Sequence, residues 1–482
     1  MDWLAARAAQ DTPALEFEHQ TWTYSALHNW AETIAVELEA QNITRGARVG
    51  IHLNNQPFYV ALIHALARIG AVAVPLNLRL AEPELRWQIE QSQCAVVISE
   101  TERLKLPQPI LHPRHFSPPQ PFPARLRPPL EPDSVQGIFF TSGTTGFPKG
   151  ALLTFANYRA NAAASAERLG VFADDRWLLT LPLYHIGGMS IVFRSALYGT
   201  EIVLHAGFDV DKVYNALTRD RITIVSLVPT MLHRLLEKYP HFEPPPALRV
   251  ILLGGAGAPA PLLEKALKQN LPIALTYGLT EATSQVATST PQQTRLKPGS
   301  VGKPLHGTTV TIVDEAGNPL PPGEAGEIVV SGETVMRGYL GSRAEEIPPP
   351  VRTIKTGDIG HFDSDGDLWV HTRRTDLIIS GGENIYPEEV ERALAEHPAV
   401  SEVCVFGLPD PAWGQVVAAA VVSREAVGEE SLIQFLRGRI AGYKIPKKIL
   451  FVHSLPYTAS GKLKRAEIKN LIGLGTATSP IK

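Results

Sequence analysis

The chain holds only two cysteines, Cys94 and Cys404, each inside an apolar run. That scarcity excludes a disulfide scaffold and a cysteine-rich metal site. It also lacks a basic excess: 45 Lys and Arg stand against 48 Asp and Glu, a formal net charge of −3. With no surplus of cations to neutralise a phosphate backbone, nucleic acid is excluded as the main partner. No long hydrophobic run goes uninterrupted. The most apolar window, 58–76, is broken by His64, Arg68 and Gly70 and reads as a helix followed by a strand rather than a membrane span. Residues 1–9 are amphipathic, without a small-residue cleavage site behind an apolar core, so no secretory signal reads there and a cytoplasmic setting is the expectation. No G-x-S-x-G elbow occurs either, which leaves serine acyl-enzyme chemistry without support.

What the chain does have is alternation. At 482 residues it is long enough for two or three domains. From about residue 48, short β-branched runs (48–53, 71–76, 95–99, 137–140, 177–183, 201–205, 223–228, 250–253 and 273–276) are separated by helical patterns such as 57–68 and 82–91. Strands recurring between helices indicate parallel βαβ sheets, whose ligands sit beyond the carboxyl ends of the strands. Residues 107–132 are proline-rich and read as a semi-rigid surface connection. After about residue 300 the strands 310–313, 326–330 and 367–371 are joined by turns at 315–318 and 363–366. The fold class expected is α/β. A large N-terminal domain of βαβ sheets, 1–374, carries a β-rich subdomain from about 300, and a small mobile α+β domain occupies 375–482, with a hinge near Thr375.

The densest chemical signal is Thr141-Ser142-Gly143-Thr144-Thr145-Gly146-Phe147-Pro148-Lys149-Gly150, which follows an apolar strand and precedes a long helical pattern. Four hydroxyls, three glycines and one lysine give N–H and O–H donors close access to phosphate oxygens. A solvated glycine turn is the bland alternative, but the density of donors argues against it. Lys149 is followed by Gly150 rather than Ser or Thr, so this is not the common P-loop. Asp363-Ser364-Asp365-Gly366-Asp367 begins like a calcium loop, yet position twelve is Arg374, not glutamate, and the segment reads as a turn.

The hydroxyl-rich segment resembles the phosphate loop of the adenylate-forming acyl-CoA synthetases, luciferases and peptide-synthetase adenylation domains. Further motifs of that family follow in order: Tyr277-Gly278-Leu279-Thr280-Glu281, Thr356-Gly357-Asp358, Arg373 with Asp376, Gly381-Gly382-Glu383-Asn384-Ile385-Tyr386-Pro387, and Ser460-Gly461-Lys462. The resemblance covers nearly the whole chain. It implies ATP, Mg²⁺ and coenzyme A as cofactors and a small carboxylic acid as substrate, activated as an acyl-adenylate and passed to a thiol. It places Thr141, Ser142, Gly143, Thr144, Thr145 and Lys149 on the phosphates, and Gly254, Gly255 and Ala256 at the adenine edge with Tyr277 and Gly278 beside the nucleotide. Asp358 falls on the ribose, Arg373 on ribose or phosphate oxygens, Thr280 near the α-phosphate, Glu281 on the metal, Lys462 between the reacting carboxylate and the α-phosphate side, and Gly381, Gly382 and Glu383 at the thiol tunnel. These residue types suit the chemistry, because a carboxylate attacking phosphorus meets a polyanion whose charge must be masked in an in-line geometry. One departure is Pro348-Pro349-Pro350-Val351-Arg352, where the family has a tryptophan-containing approach to Thr356-Gly357-Asp358.

The identity of the acid turns on residues 181–198. Arg194 is the one charge among Ile191, Val192, Phe193, Ala196 and Leu197 of a helical pattern. Such a charge needs water, a protein carboxylate or a substrate carboxylate, and spacing alone favours the surface or a protein carboxylate. The runs 175–199, 251–255 and 376–380 are similar to the 2-succinylbenzoate–CoA ligases of menaquinone and phylloquinone synthesis, which have a basic residue at this position and a dicarboxylate substrate. That resemblance assigns Arg194 to the second carboxylate, His185 to the reacting one, and Ser284, Gln285, Thr288 and Ser300 to the polar lining. A monocarboxylate (aryl or fatty acid) CoA synthetase, an adenylation enzyme loading a carrier protein, and an inactive binding protein are the rival expectations. A homo-oligomer is left open.

Overall fold

In the computed structural model, residues 3–101, 104–120, 131–141, 148–341, 351–372, 377–456 and 468 are described. The chain divides into two compact units, one of Met1–Leu78, Ile89–Phe139 and Gly150–Thr372, the other of Arg79–Gln88, Phe140–Lys149 and Arg373–Lys482.

The first unit is built on two large sheets with parallel centres. One runs Ser284–Thr288, Ile273–Leu279, Val250–Leu253, Ile224–Leu227, Arg176–Leu179, Glu201–Leu204, Pro13–Phe17 and Gln20–Thr23. Its inner pairs are parallel, and the two outermost strands pair antiparallel with their neighbours. The other has the order Gly338–Tyr339, Lys149–Thr154, Val135–Thr141, Val72–Pro75, Arg48–His52, Val96–Ser99 and Ile110–Leu111. The central strands Val72–Pro75, Val96–Ser99, Ile224–Leu227 and Val250–Leu253 are buried at every position, which is why they read as nearly continuous apolar runs, broken only by Ser99 and Ser226, rather than alternating ones.

The apolar window at 58–76 is the helix Pro57–Ile69 and the strand Val72–Pro75. This helix is buried on all sides, including Arg68, whose guanidinium lies 3.3 Å from the equally buried Glu32 of the helix Tyr24–Ala40. Among the described residues no helix is long and apolar enough to cross a membrane. The β-rich part is a four-stranded antiparallel sheet, Thr308–Val313, Gly326–Gly332, Thr353–Phe362 and Leu368–Thr372. Its turn at 363–367 is closed by Lys297, whose ammonium lies 2.8, 2.6 and 2.7 Å from Asp363, Asp365 and Asp367. A lysine thus takes the place a cation would have in the loop that imitates a calcium site.

The second unit carries the strands Glu383–Ile385, Ile378–Ser380, Gly414–Ser423 and Val400–Asp410, with Lys448–Phe451 parallel to Gly414–Ser423. The helices Pro387–Ala395 and Glu429–Leu436 share its apolar core. Lys444, itself buried, lies 2.5 Å from Glu84 and 2.7 Å from Glu389. This ion triad explains why residues 79–88 belong to this unit rather than to their neighbours in sequence.

Three expectations from the sequence are corrected here. A strand, Lys149–Thr154, comes between the hydroxyl-rich segment and the helix Phe155–Leu169; the Thr154–Asn157 capping box then starts the helix. The strand expected at 177–183 ends at Leu179, since Asn55 holds the following turn by bonds to Leu181 and Leu183. The proline-rich connection contributes an edge strand, Ile110–Leu111, beside Val96–Ser99.

Candidate active site

The strand Ile273–Leu279 delivers Tyr277, Gly278 and the short turn Thr280–Ala282 to the carboxyl end of the parallel sheet. Its register with Ser284–Thr288 shifts between Tyr277 and Gly278. A side chain on Gly278 would collide with the Ser284 carbonyl oxygen, so only glycine lets the two backbones meet this closely. Glu281 is set by both of its ends: its carbonyl accepts from the Met336 amide (2.8 Å), and its carboxylate accepts from the Tyr339 hydroxyl (2.9 Å). A fixed carboxylate beside the Thr280 hydroxyl is a hard-oxygen donor set that suits Mg²⁺.

Asp358 arrives from the β-rich sheet, on the strand Thr353–Phe362. The Tyr277 hydroxyl donates to its Oδ2 at 2.6 Å inside the core, and its amide donates to Thr356 Oγ1 at 3.0 Å. Residues 81 positions apart are thus fastened to one another, with a carboxylate oriented by a phenol. Gly254, Gly255 and Ala256 follow the strand Val250–Leu253, and the Gly254 amide donates to the Leu227 carbonyl at 3.2 Å. Of the hydroxyl-rich loop, Thr141 and Lys149 are described: the Thr141 hydroxyl donates to the Lys149 carbonyl at 3.4 Å. Ser142, Gly143, Thr144, Thr145, Arg373 and Lys462 lie outside the described residues, as do Thr375 and Pro348–Pro350.

The segment that the sequence reading assigns to the acid lies on the helix Ile186–Tyr198, which packs against the helix Phe155–Leu169. His185 is the cap residue of Ile186–Tyr198, and its ring meets Tyr184 edge-on at 4.7 Å. Arg194 is 2% exposed, so it does not reach solvent. Its Nη2 donates to Asn161 Oδ1, and its guanidinium carbon lies 5.8 Å from the centre of the Trp177 ring. Its Nε has no hydrogen-bond partner, and among the described residues it forms no ion pair. Burial pushes the guanidinium down to about 10, with Tyr198 opposing the shift, so it stays charged at neutral pH.

Gln285 and Thr288 join the same network. Asn161 Nδ2 donates to the Gln285 carbonyl at 2.9 Å, Gln285 Nε2 donates to Thr288 Oγ1 at 3.0 Å, and Thr288 shares a 2.8 Å bond with Thr276. Ser284 sits on the strand's first position with φ 97°. Ser300 belongs to a different network: its hydroxyl donates to Leu368 and accepts from the Gly302 amide, both at 3.0 Å. Asn161 and Asn55 escape the sequence reading. Asn161 stands among alanines and Asn55 in the polar run Asn54-Asn55-Gln56, and neither pattern marks a role until the partners are known.

In the second unit, Gly381 and Gly382 form the two-residue turn between Ile378–Ser380 and Glu383–Ile385. Their φ values of 59° and 87° are the pair of left-handed conformations that a tight hairpin turn requires, and glycine adopts them without strain. Glu383 is buried and receives Arg79 Nη1 at 3.1 Å.

A glycine-backed Tyr-Gly turn, a fixed glutamate and a tyrosine-bound aspartate at the carboxyl edge of a parallel sheet, in a chain that also carries a hydroxyl-rich phosphate loop, define an enzyme that activates carboxylates through ATP. The chain belongs to the AMP-binding enzyme family: the model of that family matches residues 2–340, and the model of the AMP-binding enzyme C-terminal domain matches 389–462. A 2-succinylbenzoate–CoA ligase from Bacillus mycoides is 39% identical over 98% of each chain. Among solved structures, an o-succinylbenzoate CoA synthetase double mutant from Bacillus subtilis, bound with its product analogue OSB-NCoA, is 38% identical with a TM-score of 0.90, covering 97% of this chain and 98% of that one. The same Bacillus subtilis enzyme in complex with the acyl-adenylate intermediate OSB-AMP has a TM-score of 0.72 at 37% identity, with coverage of 97% and 98%. The amide bond synthetase McbA from Marinactinospora thermotolerans is 28% identical, with a TM-score of 0.86 over 98% of this chain and 99% of that one.

Proposed function

We propose that this protein is a 2-succinylbenzoate–CoA ligase acting in menaquinone or phylloquinone synthesis. A carboxylate oxygen of the acid attacks the α-phosphorus of ATP, pyrophosphate leaves, and an acyl-adenylate results. The thiol of coenzyme A then attacks the acyl carbon, and AMP departs with the C–O electron pair as the C–S bond forms.

On this reading the loop residues Thr141, Ser142, Gly143, Thr144, Thr145 and Lys149 cradle the phosphates. Gly254, Gly255 and Ala256 border the adenine, and Asp358, aimed by Tyr277, binds the ribose with Arg373. Glu281 and Thr280 would hold Mg²⁺ and the α-phosphate side; the metal would draw charge from the phosphate oxygens. The ammonium of Lys462 offsets the negative charge gathering at the forming bond. The segment 375–482 serves the two half-reactions in turn, with Gly381, Gly382 and Glu383 lining the thiol path in the second. Ser284, Gln285 and Thr288 line the acyl side with His185, while the bonds made by Ser300 support a role in holding the loop at 300–302.

One observation carries the choice of a dicarboxylate: Arg194 is a fully buried, charged guanidinium without a carboxylate partner among the described residues. An uncompensated ion in a protein interior is costly, and a substrate bearing a second carboxylate supplies the missing counter-ion. The test is pyrophosphate release across a panel of acids with coenzyme A present, on the wild type and on Arg194→Ala. The wild type should prefer 2-succinylbenzoate to an analogue lacking the second carboxylate. Arg194→Ala should lose about 2–5 kcal/mol of kcat/KM on the dicarboxylate and little on the analogue. A wild type that favours the monocarboxylate, or equal loss on both acids, overturns the substrate assignment and leaves an acyl-CoA synthetase of other specificity. Acylation of a carrier protein but not of free coenzyme A overturns the choice of thiol.

A further inference from the structure

We propose that Asn161 is a positioning residue that fixes the Arg194 guanidinium while leaving its charge uncompensated, and so sets the acyl pocket's preference for an anionic substrate tail. The inference rests on the dicarboxylate reading above and names the residue that makes it work.

Asn161 is 1% exposed and lies in the middle of the helix Phe155–Leu169. Its Nδ2 donates at 2.9 Å to the backbone carbonyl of Gln285, a group that can only accept. That bond fixes which way the amide faces. Oδ1 is therefore the atom turned to Arg194, and it accepts from Nη2. The amide thus ties the helix Ile186–Tyr198 to the strand Ser284–Thr288 through one side chain.

Among the described residues, the rest of the guanidinium's surroundings are equally without a carboxylate. Trp177 presents its ring, and its indole N–H is held by Ser226 Oγ at 3.1 Å. Tyr198 directs its hydroxyl at the Ala162 carbonyl. An aspartate would have the same shape as Asn161 and could grip Arg194 more strongly, but it would form a closed ion pair inside the protein. It would also set a carboxylate oxygen against the Gln285 carbonyl, where the amide now donates. The neutral amide gives Arg194 direction without neutralising it, and the charge remains available to the carboxylate of the substrate that does not react.

Steady-state kinetics on the full-length enzyme tests this with Asn161→Asp and Asn161→Ala, each assayed with 2-succinylbenzoate and with an analogue lacking the second carboxylate. For Asn161→Asp, KM for the dicarboxylate should rise by about tenfold or more, the scale set by one buried charge pair. KM for ATP and kcat should hold, and KM for the neutral-tailed analogue should stay level or fall. For Asn161→Ala, which keeps the positive charge but frees the guanidinium, the dicarboxylate KM should rise by only about threefold.

Equal changes on both acids, or a loss in kcat alone, would mark Asn161 as structural and overturn the proposal. If Asn161→Asp does not fold, Asn161→Ala decides, and an unchanged ratio of the two acids' KM values counts as refutation. A wild type indifferent to the second carboxylate would instead sink the substrate assignment, which separates the two failures.

Discussion

Arg194→Met removes a charge that the free enzyme holds without a carboxylate partner among the described residues, while keeping most of the side-chain volume in the helix Ile186–Tyr198. Burial lowers the guanidinium from its ordinary value to about 10, and a shift of that size corresponds to roughly 3 kcal/mol of cost to the charged form. The sign follows from proton uptake. Between the folded and unfolded values the unfolded chain binds more protons, so stability rises with pH across that interval, and below about 10 the whole penalty is present. Against this stands the bond to Asn161, whose loss leaves Oδ1 unpaired at about 1 kcal/mol. The net expectation is that Arg194→Met stabilises the free enzyme at neutral pH by about 2 kcal/mol, or about 3 °C in the melting of a unit this large. Ligand should reverse the order. Dicarboxylate at a hundred times its Kd adds about 2.7 kcal/mol to the wild type and nothing comparable to the variant. Differential scanning calorimetry with and without 2-succinylbenzoate reads both effects. A free variant less stable than the wild type, raised equally by the acid, would show that the fold itself compensates the charge and would refute the argument.

Gly278→Ala drives a methyl into the Ser284 carbonyl and should displace Thr280 and Glu281, lowering kcat/KM by about two orders of magnitude in an enzyme that still folds; full activity would remove the turn from the site. Tyr277→Phe strips Asp358 of its 2.6 Å bond, and KM for ATP should rise by about tenfold with the acid's KM unchanged. Lys297→Met leaves three carboxylates facing one another. Burial works to raise Asp363, but the Lys297 ammonium, the Asp367 and Asp365 amides and the Trp369 indole outweigh it and hold the carboxyl well below its usual range. A depressed carboxyl contributes stability that is present above its ordinary value and lost as pH falls through the folded one. The wild type should therefore exceed Lys297→Met in denaturant midpoint at neutral pH, with the gap closing in acid; a gap independent of pH would contradict the ion cluster. Lys462→Ala should abolish pyrophosphate release yet still convert a supplied acyl-adenylate to thioester, and equal loss of both half-reactions would count against its assignment.

The sequence by itself determined the family and most of the parallel sheet architecture. Val250–Leu253 and Glu82–Gln91 could be bounded to the residue because their signals are local: an unbroken apolar run for a strand buried on both faces, and a helical pattern ended by a change of period. The order of motifs, from the hydroxyl-rich loop to the Ser460-Gly461-Lys462 segment, likewise needs no coordinates, since the resemblance to the family rests on residues read along the chain.

What only the tertiary structure decided are the contacts between residues distant in sequence. Spacing left Arg194 with solvent, a protein carboxylate or a substrate carboxylate as its partner; burial removes the first, and the second is missing among the described residues. Asn161 is 33 positions from Arg194 and 124 from Gln285, so neither bond has a local signature. The same holds for the Tyr277 hydroxyl on Asp358 and for Lys297 among three aspartates, where a motif that reads as a failed calcium loop proves to hold an ammonium. Periodicity reports which face of an element is buried. Which buried polar group answers which is settled by hydrogen bonding in the folded core, where each unmet donor or charge carries a cost that the unfolded chain does not feel.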